Sequence, residues 1–373
     1  MLQQQNEKKV EYLELIYDLI FVYIIGRNNS LLHIVEGGFV SLDAFLAYAL
    51  CTLAAIQIWN YSTFYINIYG RNGLRDHVFL CINMFLLYFM GDGIGANWQE
   101  DAVQYSIAWG LILVNLGIQH LIEIRNHRNA PWEVKQLKEK AAIILTEAVL
   151  IAVHILVFRG TGVSIAYVPI FFGIIAMMTA SRMGTLVPVD FGHLTERAML
   201  YVVFTFGEMI IALSGYFEGG FTLNTIFFAG MGFLIVVGLF LSYGTLYNKI
   251  LDRERETSGV SYMALHIFLI FALNNISTAL EFMREAEVAL LPKTLFLTLS
   301  FVLYFSFLFV AGRYAKDSCR VDARYILTFA GGAALFVILM MLLRTNMYAN
   351  ITVTVLYVFW IWMETYRWGK QAE

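Results

Sequence analysis

Apolar stretches of about twenty residues recur along the whole chain, each cut off by a short polar or glycine-rich break. A membrane-crossing helix needs about 20 mostly apolar residues. The pattern predicts twelve such helices, at 12–33, 43–68, 77–96, 102–123, 141–159, 163–183, 195–216, 222–247, 260–281, 294–313, 324–344 and 347–366. The breaks carry turn chemistry, as in Gly91-Asp-Gly93, Arg159-Gly-Thr-Gly162 and Glu218-Gly-Gly220. The longest inner loop, 126–140, is basic and suits contact with anionic headgroups. No stretch is long and polar enough for a water-soluble domain.

Charge placement gives this pattern a direction. With the N-terminus inside the cell, 20 of the 25 Lys and Arg fall on inner loops and tails. Only Arg27, Arg159, Arg284, Lys293 and Arg344 fall outside. A bias this even along the chain predicts two cytoplasmic termini and an even number of crossings. The first apolar segment has no small-residue cleavage site behind it, so it reads as a retained helix rather than a signal peptide.

Composition agrees. Hydrophobic residues make up 59% and charged residues 14%, against about 25% charged in soluble domains. The net charge of −3 makes no case for nucleic acid. Cys51, Cys81 and Cys319 are odd in number and far apart, so neither a disulfide framework nor a metal cluster follows.

An internal echo divides the chain. Tyr61-Ser-Thr-Phe-Tyr65 ends segment two and Tyr243-Gly-Thr-Leu-Tyr247 ends segment eight, an offset of 182 that also carries Glu14 onto Glu196. His77-Val-Phe-Leu80 and His266-Ile-Phe-Leu269 echo at a slightly larger offset. The reading is two six-helix halves, 1–185 and 186–373, running parallel because six is even.

Ionisable residues inside membrane segments are costly and mark function or pairing. Glu14 and Asp18 are four apart on one face of segment one. His193, Glu196 and Arg197 open segment seven, and Glu208 lies roughly 20 Å further along it at 1.5 Å per residue. Glu208 must face protein or water. Segment five holds Glu147 and His154 two turns apart, a pair suited either to proton transfer or to a buried hydrogen bond. Segment nine carries a stripe of Asn274, Thr278 and Glu281, suited to helix pairing or to a wet path. His120/Glu123 and His193/Glu196 have spacing for two ligands on one metal, but helix capping and ion pairing explain them better. No metal and no cofactor is expected.

Several classes drop out. No Lys lies mid-segment, which argues against a retinal Schiff base. There is no nucleophile elbow, phosphate-binding Gly-Lys-Ser/Thr loop or His-Glu-x-x-His run. No Arg repeat supports a voltage sensor.

Three motifs carry a family resemblance. Glu14-Leu-Ile-Tyr-Asp18-Leu-Ile-Phe-Val22, Trp59-Asn-Tyr-Ser-Thr63-Phe-Tyr65-Ile-Asn67, and His193-Leu-Thr-Glu196-Arg197 followed by Gly207-Glu208 resemble signatures of the bacterial low temperature requirement protein A (LtrA) family. Ala198-Met199 and His266-Ile-Phe depart from the family pattern, as in a divergent member. The resemblance implies a polytopic inner-membrane protein and no settled activity.

The expectation is an all-α polytopic membrane protein whose partners are the lipid bilayer and a small solute or ion. The leading function is a transporter or channel-like permease, proton- or cation-coupled, rather than an enzyme. Its substrate- or proton-binding residues would be Asp18, Glu208, Glu14, Glu196, Arg197 and His193. The alternatives are a membrane-embedded enzyme acting on lipid or an isoprenoid-linked substrate, and a sensor or assembly partner. The oligomeric state is open.

Overall fold

A backbone surrounded by hydrocarbon must satisfy its polar groups within each segment, which favours helices. A computed structural model describes residues 8–95, 98–183, 189–217, 220–283, 285, 287–319, 321 and 323–370. It is all-α, with twelve long helices. They are α1 (Tyr12–Ser30), α2 (Leu42–Tyr69), α3 (Leu74–Asp92), α4 (Trp98–Glu123), α5 (Pro131–Thr161), α6 (Tyr167–Met183), α7 (Phe191–Leu213), α8 (Leu223–Thr245), α9 (Val260–Phe282), α10 (Leu290–Ala311), α11 (Ala323–Leu342) and α12 (Met347–Gly369). One two-stranded antiparallel hairpin, β1 (Val35–Glu36) and β2 (Phe39–Val40), follows α1.

Among the described residues, nine of these helices are long and apolar enough to cross a membrane. The other three are α1, α6 and α12. Helix α1 is set apart by Glu14, Asp18 and Arg27, all of which have protein partners. In α6 the apolar stretch is short, Tyr167–Ala180.

The largest difference from the expected boundaries is in α5. The basic stretch before Ala141 is not a loop: Pro131 opens the helix at its first turn, where its missing N–H costs nothing. The helix runs 31 residues to Gly162, whose φ of 72° suits the left-handed stop. At 1.5 Å per residue it is about 46 Å long, beyond a hydrocarbon core of about 30 Å. Its charged first turns, with Glu133, Lys135, Lys138 and Glu139, account for the excess. At the end of α8 the ladder widens into one π turn, Leu246–Ile250, which contains Tyr247 of the repeated run.

The chain forms two compact units. The first comprises residues 1–34, 42–200 and 256–263; the second comprises 35–41, 201–255 and 264–373. In the first unit α4 packs on α3 and α5, α1 on α2 and α3, and α6 on α2 and α5. In the second, α12 packs on α8 and α11, and α11 on α10. The most enclosed helices are α2, 67% buried over its apolar window, and α9, at 72%; α11 is 11% buried and presents its side chains outward. In the second unit the β-hairpin docks on α9 and α10: Phe39 packs edge-on against Phe282 and Phe296, and Gly38 O accepts the Ala289 N–H (2.8 Å).

Candidate functional site

Three helices of the first unit build one buried polar cluster. From α1, Glu14, Tyr17, Asp18 and Phe21 share a face by their spacing of three and four. From α7 come His193 and Arg197, also four apart. From α2 come Trp59, Ser62 and Asn67.

Arg197 is the hub. It is fully buried, and each of its three guanidinium nitrogens has a carboxylate partner. Nε donates to Asp18 Oδ2 (3.0 Å), Nη2 to Asp18 Oδ1 (2.5 Å) and Nη1 to Glu14 Oε2 (2.8 Å). The fork on Asp18 is the bidentate geometry that a planar guanidinium favours. Trp59 donates its indole N–H to Asp18 Oδ1 (2.9 Å), and its ring stands 6.0 Å from the Arg197 guanidinium. Tyr17 and Ser62 hydroxyls bond at 2.8 Å alongside. Glu14 is anchored twice: Oε1 accepts the Glu11 N–H (3.5 Å) that opens α1, while Oε2 faces Arg197 and His193.

His193 has a defined tautomer. Asn67 Oδ1 accepts the Asp190 N–H (3.1 Å), which fixes the amide's orientation. Its Nδ2 therefore donates, to Asp190 O (2.8 Å) and to His193 Nδ1 (3.0 Å). Nδ1 must accept, so the neutral ring carries its hydrogen on Nε2, 3.2 Å from Glu14 Oε2. Asp190 also caps α7, its Oδ1 accepting the His193 N–H (2.9 Å), and its Oδ2 accepts the Lys8 N–H (2.9 Å). The Lys8 ammonium in turn donates to Ile66 O in the last turn of α2 and to Gly70 O just past its end (2.9 Å for the latter). Burial lowers the pKa of that ammonium from its usual value.

The cluster thus sets one guanidinium against two carboxylates in a site almost closed to solvent, with Glu14 4% exposed, His193 1% and Asp18 and Arg197 0%. Its chemistry is acid–base and electrostatic.

Of the six residues singled out in the sequence, four come together: Glu14, Asp18, His193 and Arg197. Glu196 is half-buried and forms no hydrogen bond or ion pair with the described residues. Glu208 belongs to the second unit. It is half-buried, makes no hydrogen bond with the described residues, and has Glu281 of α9 within electrostatic range. The other His-x-x-Glu pair is committed elsewhere: His120 donates through Nδ1 to Leu116 O (2.8 Å), and Glu123 receives Arg75, His127 (3.0 Å) and Asn126 (3.1 Å). Asp190, Lys8 and Ser62 were not singled out. Asp190 carried a readable signal, an Asp standing just before a helix start.

Residues 9–361 match the family described as bacterial low temperature requirement A protein (LtrA). The match covers most of the chain, which therefore belongs to this family and is a multi-pass membrane protein. No curated protein and no solved structure matches it.

Proposed function

We propose that this LtrA-family chain is a proton- or cation-coupled permease of the inner membrane, and that Glu14, Asp18 and Arg197 form its exchange site. One observation carries the proposal: two carboxylates of α1 face a single buried guanidinium of α7. Desolvated charges are tolerated only when balanced. One guanidinium balances one carboxylate; His193 and the Lys8 ammonium also act on Glu14, and a bound proton or cation completes the balance of the second. Binding and release of that extra positive charge would switch the cluster between neutral and negative. A switch of this kind, placed where two helices meet, can bias one helix arrangement over another. Glu208 supplies a second carboxylate on α7, acting in the second unit.

The test uses proteoliposomes containing a trapped pH dye, pulsed with Na⁺ or K⁺. Wild type should move protons in response to one of the ions, and Asp18→Asn should not. Absence of movement in wild type with either ion would remove cation exchange as the activity.

We further propose that all twelve helices cross the membrane, as two parallel six-helix repeats. The excess of inner Lys and Arg supports the direction. Three neighbour relations recur at equivalent places, α2–α6 with α8–α12, α4–α5 with α10–α11, and α5–α6 with α11–α12. Burial does not follow the same pairing, since α9 rather than α8 is the most enclosed helix of the second unit.

A further inference from the structure

A second buried carboxyl lies in the first unit, outside the Arg197 cluster. Glu147 of α5 is 0% exposed and Gln57 of α2 is 5% exposed. A directed chain of hydrogen bonds links them. Gln57 Nε2 donates to the Ile170 carbonyl of α6 (3.5 Å) and to the Tyr61 hydroxyl (2.8 Å). Tyr61 has one hydrogen, and it goes to Glu147 Oε2 (2.9 Å). Two acceptors of this chain, Glu147 Oε1 and Gln57 Oε1, are buried without a hydrogen-bond partner. Tyr61 is the titratable group that faces Glu147; α6 meets it with Gly173, and α4 meets the next turn of α5 with Gly110 against Ile151. No charged group among the described residues acts on it.

We infer that Glu147 is a proton-binding site, distinct from the Arg197 cluster. A carboxylate in such surroundings, with only the neutral Tyr61 and Gln57 side chains as donors and no cation, is costly. A proton on Oε1 removes the charge and turns one unpartnered acceptor into a donor. Gln57 Oε1 is the other unpartnered acceptor of the same cluster. The size of the ligand follows from Gly173: a Cβ there would press inside contact distance of Glu147 Oε2, Gln57 Nε2 and the Tyr61 hydroxyl together. A space that refuses a methyl group on that side takes a proton and not an organic solute. Asp18 contrasts with it, held by three donors from Arg197 and Trp59. The inference does not depend on the permease reading, because it concerns a proton on the resting protein and not flux.

The test is infrared spectroscopy of the purified full-length protein in detergent. Wild type should show the carbonyl-stretch band of a protonated carboxylic acid, shifting down in D₂O as the proton exchanges. The band should be lost in Glu147→Gln and kept in Asp18→Asn. In Tyr61→Phe, which keeps the carboxyl but removes its donor, the band should move to higher frequency; this variant decides the matter if Glu147→Gln does not fold. A band unchanged in Glu147→Gln or unmoved in Tyr61→Phe would overturn the assignment. So would a band that fails to exchange in D₂O, or one abolished by Na⁺ or K⁺ at constant pH, which would make the site a cation site.

Discussion

Asn67 and His193 are locked into one polarity, with the amide donating and the ring nitrogen Nδ1 accepting over 3.0 Å. The lock originates in the backbone, because the Asp190 N–H occupies Asn67 Oδ1. Asn67→Asp replaces the donor with an acceptor and should move the ring hydrogen from Nε2 to Nδ1. Nitrogen-15 NMR of histidine-labelled protein reads the tautomer directly. An Nε2–H signal that persists in Asn67→Asp would show that Glu14, not Asn67, sets the ring.

Arg197 should be the most sensitive position of the cluster to truncation. Arg197→Ala leaves Glu14 and Asp18 buried without their cation, and breaking a buried pair costs about 3–5 kcal/mol. Arg197→Lys keeps the charge but loses the fork on Asp18, and should fall between. Because the three residues act as a unit, Glu14→Gln and Asp18→Asn added to Arg197→Ala should recover part of the loss. Denaturant unfolding of the purified protein measures these variants. Equal stability of Arg197→Ala and wild type would contradict the observed pairing.

Gly173 and Gly207 provide an internal control on packing. A Cβ on Gly173 meets three polar side chains, whereas one on Gly207 meets nothing within 4 Å. Gly173→Ala should cost about 1–3 kcal/mol through overpacking. Gly207→Ala should be neutral or gain roughly 0.5–1 kcal/mol from the helix preference for Ala over Gly. Thermal unfolding of the two variants side by side tests the difference, and a loss of equal size at both positions would refute it.

Much of this architecture was legible because hydropathy is a local signal: apart from the start of α5, every helix boundary falls within about four residues of the predicted one. The start of α5 was not, because charged helix and charged loop look alike once a helix outgrows the membrane. The cluster was legible in part. Spacing puts Glu14 and Asp18 on one face, but it does not say that Arg197, 179 positions away from Asp18, closes onto them. Glu196 and Arg197 looked like one acidic–basic group in sequence. Successive residues of a helix point about 100° apart, since a turn takes 3.6 residues, and only Arg197 faces α1. The outlying basic residues also needed the structure. Arg27 donates to the end of α3 at Gly91 O (3.2 Å), and Lys293 to Glu285 O (2.9 Å) just past α9. Both are held by helix-end carbonyls.

With Arg27 and Lys293 spent on helix ends, the basic residues left on the expected outer side are Arg159, Arg284 and Arg344, of which Arg284 lies outside the described residues. On the inner side Lys8, Arg197 and Arg255 are likewise held by protein groups, so the bias toward the inside rests on the bare count of 20 in 25. Helix α1 is the critical element, because its carboxylates lower its apparent hydropathy although both are paired with protein. If α1 crosses, Lys9 and Gly37 lie on opposite faces of the membrane; both are exposed, and Gly37 has nothing within 4 Å of a Cβ position. If α5, α6 and α7 all cross, Lys138 and Phe221 also lie on opposite faces. Glu218, the loop residue nearest the expected turn, lies outside the described residues, so Phe221, which is 81% exposed, is the better site. Single cysteines at these four positions, in a background without Cys51, Cys81 and Cys319, can be labelled in intact cells with a membrane-impermeant maleimide. Gly37 and Phe221 should react, and Lys9 and Lys138 should react only after the cells are opened. Labelling of Lys9 and Gly37 from the same side would take α1 out of the membrane and leave an odd number of crossings. It would also place the C-terminus opposite the side that Arg367 and Lys370 favour.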